Sequence, residues 1–269
     1  MYRFLLTPRW LGYLALTLAA AAVMVLLGDW QLHRYQQRAA INGRIDASAT
    51  AAPVPVDRVL PPAGTAAGSA GAEPPADAEW TRVTVTGEYD PANLILIRGR
   101  TVDGQVGFEV LTPLRTAGGH AVLVDRGWIP PAPGAATVLP QVPATPSGAV
   151  TVLARVRRSE SRPDTVQHRG GRLESRRISV PRLAAELPYP VYGGYLLLDE
   201  QTPAADPAFV AIPVEHQNDW QNAGYVVQWW LFAGMALFGY GWAARREARG
   251  GPTAAGPDAD RVPAVAAGP

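Results

Sequence analysis

The four histidines are the side chains of this sequence best suited to metal binding or proton transfer, and their spacing supports neither. His33, His120, His168 and His216 are far apart, and no two stand four residues apart as metal-binding pairs on one helix do. The chain has no cysteine, which excludes disulfides, thiolate metal sites and cysteine nucleophiles. It also lacks a Gly-x-Ser-x-Gly elbow, a phosphate loop and a dinucleotide fingerprint. We therefore predict no catalytic residue, no metal site and a protein that is not an enzyme.

Arginine forms the other concentration of reactive groups. Residues 155–182 contain nine arginines and three acidic residues. Because guanidinium pairs with carboxylates through two hydrogen bonds, this segment is either a surface for anionic lipid or for the carboxylates of a partner or cofactor, or a solvated loop. The net charge of the chain is only +1, so nothing indicates a nucleic-acid partner.

Two uncharged apolar runs, at 10–27 and 224–244, flank the rest of the chain. As helices, both are long enough to cross a hydrocarbon core of roughly 30 Å. Tryptophan favours the headgroup level of a bilayer, and a pair of tryptophans brackets each run: Trp10, Trp30, Trp220 and Trp242. We predict transmembrane helices over 10–29 and 223–244.

Each run has a second interpretation. The first could be a cleaved signal peptide with small residues at 19–21, but its apolar stretch continues to Leu27, so cleavage there would leave half of it behind. The second could be a buried core helix, which the arginines directly after it, at 245, 246 and 249, disfavour. We expect two uncleaved membrane anchors.

The arginines outside the runs predict the orientation. Arg3 and Arg9 precede the first run and three arginines follow the second, so the positive-inside rule places 1–9 and the disordered tail 245–269 in the cytoplasm. Arginines at 34, 38 and 44 oppose this, but they open a loop far longer than about 60 residues, where retention by arginine is weak. Residues 30–222 are then extracytoplasmic. The frequent use of arginine, alanine, glycine and proline suggests a GC-rich genome and so a bacterial source. Together with the two spans, this predicts a multi-pass protein of a bacterial cell membrane.

The middle of the chain predicts one β-rich domain, an antiparallel sheet or partial barrel with a minor helix over 181–187. The tract at 47–78, rich in proline, alanine and glycine, predicts a flexible linker or insertion. Short apolar or alternating runs predict the strands, with glycines at 118 and 119 forming a hairpin turn between the third and the fourth: 83–86, 94–97, 108–114, 122–124, 150–156, 195–198 and, more weakly, 209–214.

Four segments resemble the Surf1 family of cytochrome c oxidase assembly factors. Two of them adjoin the apolar runs: Gly28, Trp30, Gln31, Arg34 and Arg38 after the first, and Tyr225, Gln228, Trp229 and Trp230 at the second. Two lie in the middle: the Gly-x-Tyr turn at 87–89 with the Gly…Pro-Leu strand at 107–114, and the run Arg126, Gly127, Trp128, Ile129 and Pro130.

These motif residues also have structural interpretations. Trp30 and Gln31 suit an amphipathic anchor at the outer interface. We expect Gly127 to turn the backbone so that Trp128 packs over the sheet, and Arg126 to face a carboxylate.

The resemblance implies a non-enzymatic assembly factor that assists delivery or insertion of haem a into the core subunit of a haem–copper oxidase. It implies the core subunit, the haem a synthesis machinery and the lipid bilayer as partners, and transient binding of haem a. Family members often carry a histidine at the outer end of the second span, where this chain has Asn222. His216, Asn222 and Gln228 are therefore the candidate residues near haem.

Two other functions remain open. A membrane-anchored extracytoplasmic binding or sensor module needs no catalytic residue, but a sensor would need a cytoplasmic output domain, which the short tails do not provide. A membrane-bound hydrolase would need a nucleophile motif, and the sequence shows none.

Overall fold

The apolar run at the N-terminus forms the first part of a long helix. The computed structural model describes residues 2–62, 64–135, 137–162 and 164–250. It contains three α-helices in these ranges, α1 (Pro8–Thr50), α2 (Val180–Ala184) and α3 (Trp220–Arg249), and a 3₁₀ turn (Arg3–Leu6) precedes α1. The chain divides into a helical unit, residues 2–39 and 218–250, and a β unit, residues 40–217. The part of the predicted tail beyond residue 250 lies outside the described residues.

In the described part of the chain, α1 is the one helix that is a candidate membrane span by its length and apolar composition. Its most apolar window has a mean hydropathy of 2.2, and only 11 % of that window is buried. The second predicted span is helical, because it lies within α3. The hydropathy of this second span is lowered by its glycines, its glutamine and its tryptophans and tyrosines. Aromatic residues nevertheless favour the membrane interface.

The β unit contains a nine-stranded mixed sheet in the order β1-β2-β6-β9-β5-β4-β3-β8-β7. Strand β2 also pairs with β4, so β2, β6, β9, β5 and β4 close a ring of hydrogen-bonded neighbours. The strands are β1 (Val54–Pro55), β2 (Arg82–Tyr89), β3 (Ile95–Val102), β4 (Gln105–Arg115), β5 (Ala121–Ile129), β6 (Ala149–Arg157), β7 (Gln167–Arg169), β8 (Arg172–Ser175) and β9 (Val191–Thr202).

The predicted antiparallel sheet or partial barrel is confirmed only in part, because three pairings of the sheet are parallel. Strands β1–β2, β3–β8 and β5–β9 are parallel. A parallel pair needs a long crossover rather than a hairpin, and more than 60 residues separate β5 from β9. The antiparallel expectation holds where strands follow each other closely, as in the β4–β5 hairpin, whose turn contains Gly119 at φ +80°.

Six of the seven predicted strands coincide with strands of the sheet, and the weak one at 209–214 does not. Val210 forms an isolated bridge with Trp128, and no strand is assigned around it. Pro207 precedes the segment and Pro213 lies within it, and neither has the N–H group that a ladder requires. The predicted helix at 181–187 appears as the shorter α2, with Pro181 in its first turn.

The tract at 47–78, rich in proline and alanine, contacts the sheet, which a flexible linker would not do. Helix α1 continues to Thr50, and β1 follows it. Val56 and Leu60 lie in the core beside Val83, and Ala70 forms a bridge with Val191. A few isolated apolar side chains therefore attach this tract, although the tract has no periodic pattern.

The core lies on both faces of the strands. Val122 and Val124 pack in one cluster, whereas Leu123 between them packs in another, together with Leu183 of α2. This alternation follows from the two-residue period of a strand. A smaller cluster joins Ile45, near the end of α1, to Trp80 and Leu197.

Candidate functional site

The two ends of the chain meet in the helical unit as an antiparallel pair of helices. The rings of Trp10 and Tyr240 lie 5.7 Å apart, and Gly28 lies against Trp230. Residue numbers therefore rise along α1 as they fall along α3. The first and last motif segments of the sequence consequently lie beside each other at one end of this pair.

Gly28 allows α3 to approach closely. A Cβ atom at Gly28 would lie 2.4 Å from Nε1 and 2.5 Å from Cδ1 of Trp230. Real Cβ atoms do not come this close to other heavy atoms, so any larger residue would displace the indole or separate the helices. Small residues at helix contacts have this role in membrane helix pairs.

One turn beyond Gly28, a polar pair crosses between the helices. The Asn222 amide Nδ2 donates a hydrogen bond to Gln31 Oε1 at 2.7 Å. Asn222 is only 8 % exposed, and its Oδ1 is buried without a hydrogen-bond partner among the described residues. An unsatisfied buried acceptor costs about 1–3 kcal/mol, so this oxygen favours a donor from outside the pair.

The three candidate haem residues have different surroundings within their own units. His216 belongs to the β unit, where its Nε2 lies 2.8 Å from Asp46 Oδ1 and its side chain is exposed. Asn222 and Gln228 both belong to α3, but Asn222 is buried and Gln228 is exposed. Haem iron is held by histidine, methionine, cysteine or tyrosine, so the amide at position 222 does not fit direct ligation. In the described ranges, no group of three metal-ligating side chains is found.

The remaining motif residues of the helical unit present an exposed aromatic and basic surface. Trp30, Arg34 and Tyr225 are exposed, and Trp229 is half-buried. Arg38 is fixed, because its Nη1 donates to the backbone oxygen of Asn218 at 2.5 Å.

Arg126, in the central motif of the β unit, is buried, and its environment corrects the prediction of a carboxylate partner. Its guanidinium carbon lies 5.2 Å from the ring centre of Tyr89 and 4.6 Å from that of Phe209. Its hydrogen bonds within the described chain go to Thr145 Oγ1 at 3.1 Å and to the backbone oxygen of Ala144 at 3.3 Å. Burial lowers the pKa of Arg126. Cation–π contacts thus take the place of the expected ion pair.

Gly127 and Trp128 have the geometry that the sequence leads us to expect. Gly127 has φ +127°, and a Cβ atom there would lie 2.8 Å from Val210 O. Trp128 is buried, its Nε1 donates to the backbone oxygen of Arg100 at 3.0 Å, and its ring lies on Gly107. Gly127 therefore lets β5 bend and seats the indole over β3 and β4.

Beside this motif, the β unit buries a cluster of charges that sequence reasoning missed. Asp125 is 2 % exposed and accepts a hydrogen bond from the Gly127 N–H at 3.2 Å. Burial raises the pKa of Asp125 well above its ordinary value, and the charge of Glu109 raises it further. Burial also raises the pKa of Glu109, against the effect of Arg100, whose Nε lies 3.0 Å from the Glu109 carboxylate. The one sequence signal was two acidic residues inside otherwise apolar strands.

The β unit also has a polar cleft. It has a volume of about 520 Å³ and is lined by threonines together with Asp57, His120 and Tyr192. The Tyr192 hydroxyl donates to Asp57 Oδ1, and the rings of His120 and Tyr192 lie 6.0 Å apart. Burial, followed by this hydrogen bond, raises the pKa of Tyr192 to about 12.

Comparison with known proteins agrees with the arrangement of the motifs. The model of the SURF1 family matches residues 18–234, from the first apolar run into α3. The chain is 34 % identical, over 250 residues, to uncharacterized SURF1-like proteins of Mycobacterium bovis and Mycobacterium tuberculosis. The alignment covers 91 % of this chain and 87 % of each relative. The chain therefore belongs to the SURF1 family.

Proposed function

We propose that this protein is a membrane-anchored, non-catalytic assembly factor of a haem–copper cytochrome c oxidase, which assists delivery or insertion of haem a into the core subunit. Family membership supports the role in oxidase assembly. The observation that carries the proposal is the Gln31–Asn222 hydrogen bond, because it joins the first family motif to a residue just before the last one, at a site with an unsatisfied buried acceptor.

The proposal includes a second membrane span, formed by α3. Large apolar side chains of α3 are exposed along its length, among them Leu231 at 60 %, Met235 at 57 % and Phe238 at 74 %. Exposing such side chains to water would cost roughly 25 cal/mol per Å², whereas lipid tails would solvate them. With arginines at the start of α1 and in the last turns of α3, the helix pair would cross a bacterial cell membrane twice, with both termini in the cytoplasm.

In this role, the exposed face of α3 contacts a helix of the oxidase core subunit. Tyr225 and Gln228 are exposed on α3 close to the Gln31–Asn222 pair. A glutamine amide facing lipid favours a hydrogen bond with a neighbouring helix, worth about 1 kcal/mol. The pair and this face would hold the core subunit open at the stage when haem a enters.

Haem a itself contacts this chain transiently in the proposal, without a protein ligand to the iron at position 222. The amide of Asn222 is not a haem-ligand type, and His216 is engaged with Asp46. The partners are the core subunit, the machinery that synthesises haem a, and the bilayer.

A deletion strain tests the role in assembly. We expect loss of the gene to lower the haem a absorbance and the amount of assembled oxidase while the oxidase transcripts stay unchanged. Complementation with Asn222→Leu, which removes both the hydrogen bond and the buried acceptor of Asn222, should restore less oxidase than complementation with His216→Ala. Normal oxidase spectra in the deletion strain would refute the proposal.

The visible spectrum of the purified protein tests the statement about ligation. Protein from a strain that makes haem a should show the same axial-ligand signature, or the same lack of one, in the wild type and in Asn222→Ala. A haem spectrum lost specifically in His216→Ala would show that His216 is a ligand after all.

The polar cleft of the β unit favours one alternative, a membrane-anchored extracytoplasmic binding or sensor module. The cleft combines a carboxylate, a tyrosine and threonine hydroxyls, which suit a small polar ligand. This function predicts normal oxidase in the deletion strain and a loss of ligand binding in Tyr192→Phe.

A further inference from the structure

Near the ends of the helical unit opposite to Asn222, α1 and α3 form a groove of about 470 Å³ that the proposed function does not use. We call it the arginine groove and define it by six of its lining residues: Arg9, Tyr13, Leu16, Trp242, Arg246 and Glu247. The edge-to-face contact of Trp10 with Tyr240, at 5.7 Å, holds the two helices together beside it.

The guanidinium groups of this groove are held by aromatic rings rather than by carboxylates. Arg9 Nε donates to the Tyr13 hydroxyl at 3.1 Å, and its guanidinium carbon lies 5.6 Å from the Tyr13 ring centre. Arg246 lies 5.5 Å from the ring centre of Trp242. Among the described residues, neither arginine forms an ion pair, although the charge of Glu247 in the same groove acts on Arg9. Both guanidinium groups can therefore still bind an anion.

The groove changes from charged to apolar along its length. Leu16 lies seven residues after Arg9 on α1, which is about 10 Å further along the helix axis. Arg9 and Arg246 therefore mark one end of the groove, and Leu16 marks the other. An anionic head followed by a hydrocarbon chain matches this order.

We propose that the arginine groove binds an anionic phospholipid, with the phosphate between Arg9 and Arg246 and the start of one acyl chain along Tyr13 and Leu16. Basic pockets between membrane helices on the cytoplasmic side bind such headgroups. This inference rests on the two-span arrangement of the proposed function, and it adds a specific lipid site at the cytoplasmic end.

The test is a competition between two lipids with the same acyl chains. The full-length protein is purified in a non-ionic detergent and mixed with phosphatidylglycerol and phosphatidylcholine, and the bound fraction of each is measured by native mass spectrometry. One arginine near an anionic lipid is worth a factor of about five, so two arginines opposed by Glu247 should give a preference of roughly fivefold for phosphatidylglycerol.

The double variant Arg9→Gln/Arg246→Gln should reduce this preference to less than twofold. Its matched control is Arg245→Gln/Arg249→Gln, which removes the same number of charges near the same end of the helix pair but outside the groove, and should keep the preference. Glu247→Gln should increase the preference about fivefold, and this gain does not depend on the folding of the double variant.

Equal binding of the two lipids, or equal losses in the two double variants, would overturn the proposal. Glycerol phosphate that competes as well as the intact lipid would also overturn it, because the site would then bind a soluble anion. This measurement needs no oxidase, so normal oxidase in a deletion strain would refute the proposed function and leave the lipid result unaffected.

Discussion

Replacing Gly28 with alanine tests whether the family's first motif serves to bring the two helices together. The added Cβ would lie 2.4 Å from Nε1 of Trp230 and must displace the indole or separate α1 from α3. Overpacking of this kind costs typically about 1–3 kcal/mol. Glycine-to-alanine substitution inside a helix otherwise stabilises it by up to about 1 kcal/mol.

Gly12 provides the matched control, because it lies in the same helix and an added Cβ there meets no atom within 4 Å. Gly12→Ala should therefore show only the propensity gain. We expect Gly28→Ala to be about 1–3 kcal/mol less stable than Gly12→Ala. The free energy of unfolding can be measured by titrating the full-length protein in mixed micelles with sodium dodecyl sulfate and following tryptophan fluorescence.

A second substitution identifies the atoms responsible. Trp230→Ala removes the indole that a Cβ at Gly28 would strike, so Gly28→Ala should cost little in that background. If Gly28→Ala were as stable as Gly12→Ala, or if Trp230→Ala did not relieve its cost, the close contact between the helices would not be the function of this glycine.

Three further predictions concern buried polar groups and backbone strain. Gln31→Leu or Asn222→Leu alone should destabilise the helix pair by about 1–2 kcal/mol in the same titration, whereas the double variant should recover most of the loss, because it leaves no amide unpaired. Asp125→Asn should flatten the pH dependence of the free energy of urea unfolding. The raised pKa of Asp125 adds stability at low pH, and this stability is lost as the pH rises through that pKa. The variant should therefore become more stable relative to the wild type toward alkaline pH. A larger stability loss for wild type than for Asp125→Asn on acidification would contradict this sign. Gly127→Ala should cost about 1–3 kcal/mol in thermal unfolding, because its φ is +127° and Val210 O blocks the new Cβ, while Gly118→Ala, which meets only ordinary contacts, should change little.

The strands of the β unit could be predicted from the sequence because burial leaves a local pattern. Val83 and Val85 alternate with threonines, and the glycines at 118 and 119 mark the β4–β5 turn. Which strands pair is not local information. The burial of every residue of β5 requires neighbours on both sides, but nothing near β5 indicates that one of them is the parallel strand β9. Strands β7 and β8 carry arginine, histidine and glutamate, and they were missed for that reason.

The candidate site could be predicted only in part, because motifs identify residues and not their partners. The sequence indicated Gly28, Gln31 and Asn222 only as separate residues near the two apolar runs. Their contacts depend on the register of two helices almost 200 residues apart. Asp125 was missed because an acid in an apolar strand gives no sign of what stabilises it. The predicted carboxylate partner of Arg126 was wrong, because two aromatic rings and two hydrogen-bond acceptors surround its guanidinium.

The side-chain chemistry of Asn222 indicates what this position can bind in place of iron. A histidine at this position could hold iron through a free ring nitrogen, whereas Asn222 uses its amide N–H to bind Gln31 and keeps only an acceptor oxygen. An acceptor in an apolar helix pair favours an N–H or O–H donor, and a neighbouring helix can present one through a side chain. The chemistry of the site therefore favours recognition of a protein helix over coordination of a metal, and under the proposed function the assistance to haem a insertion would come from contact with the core subunit.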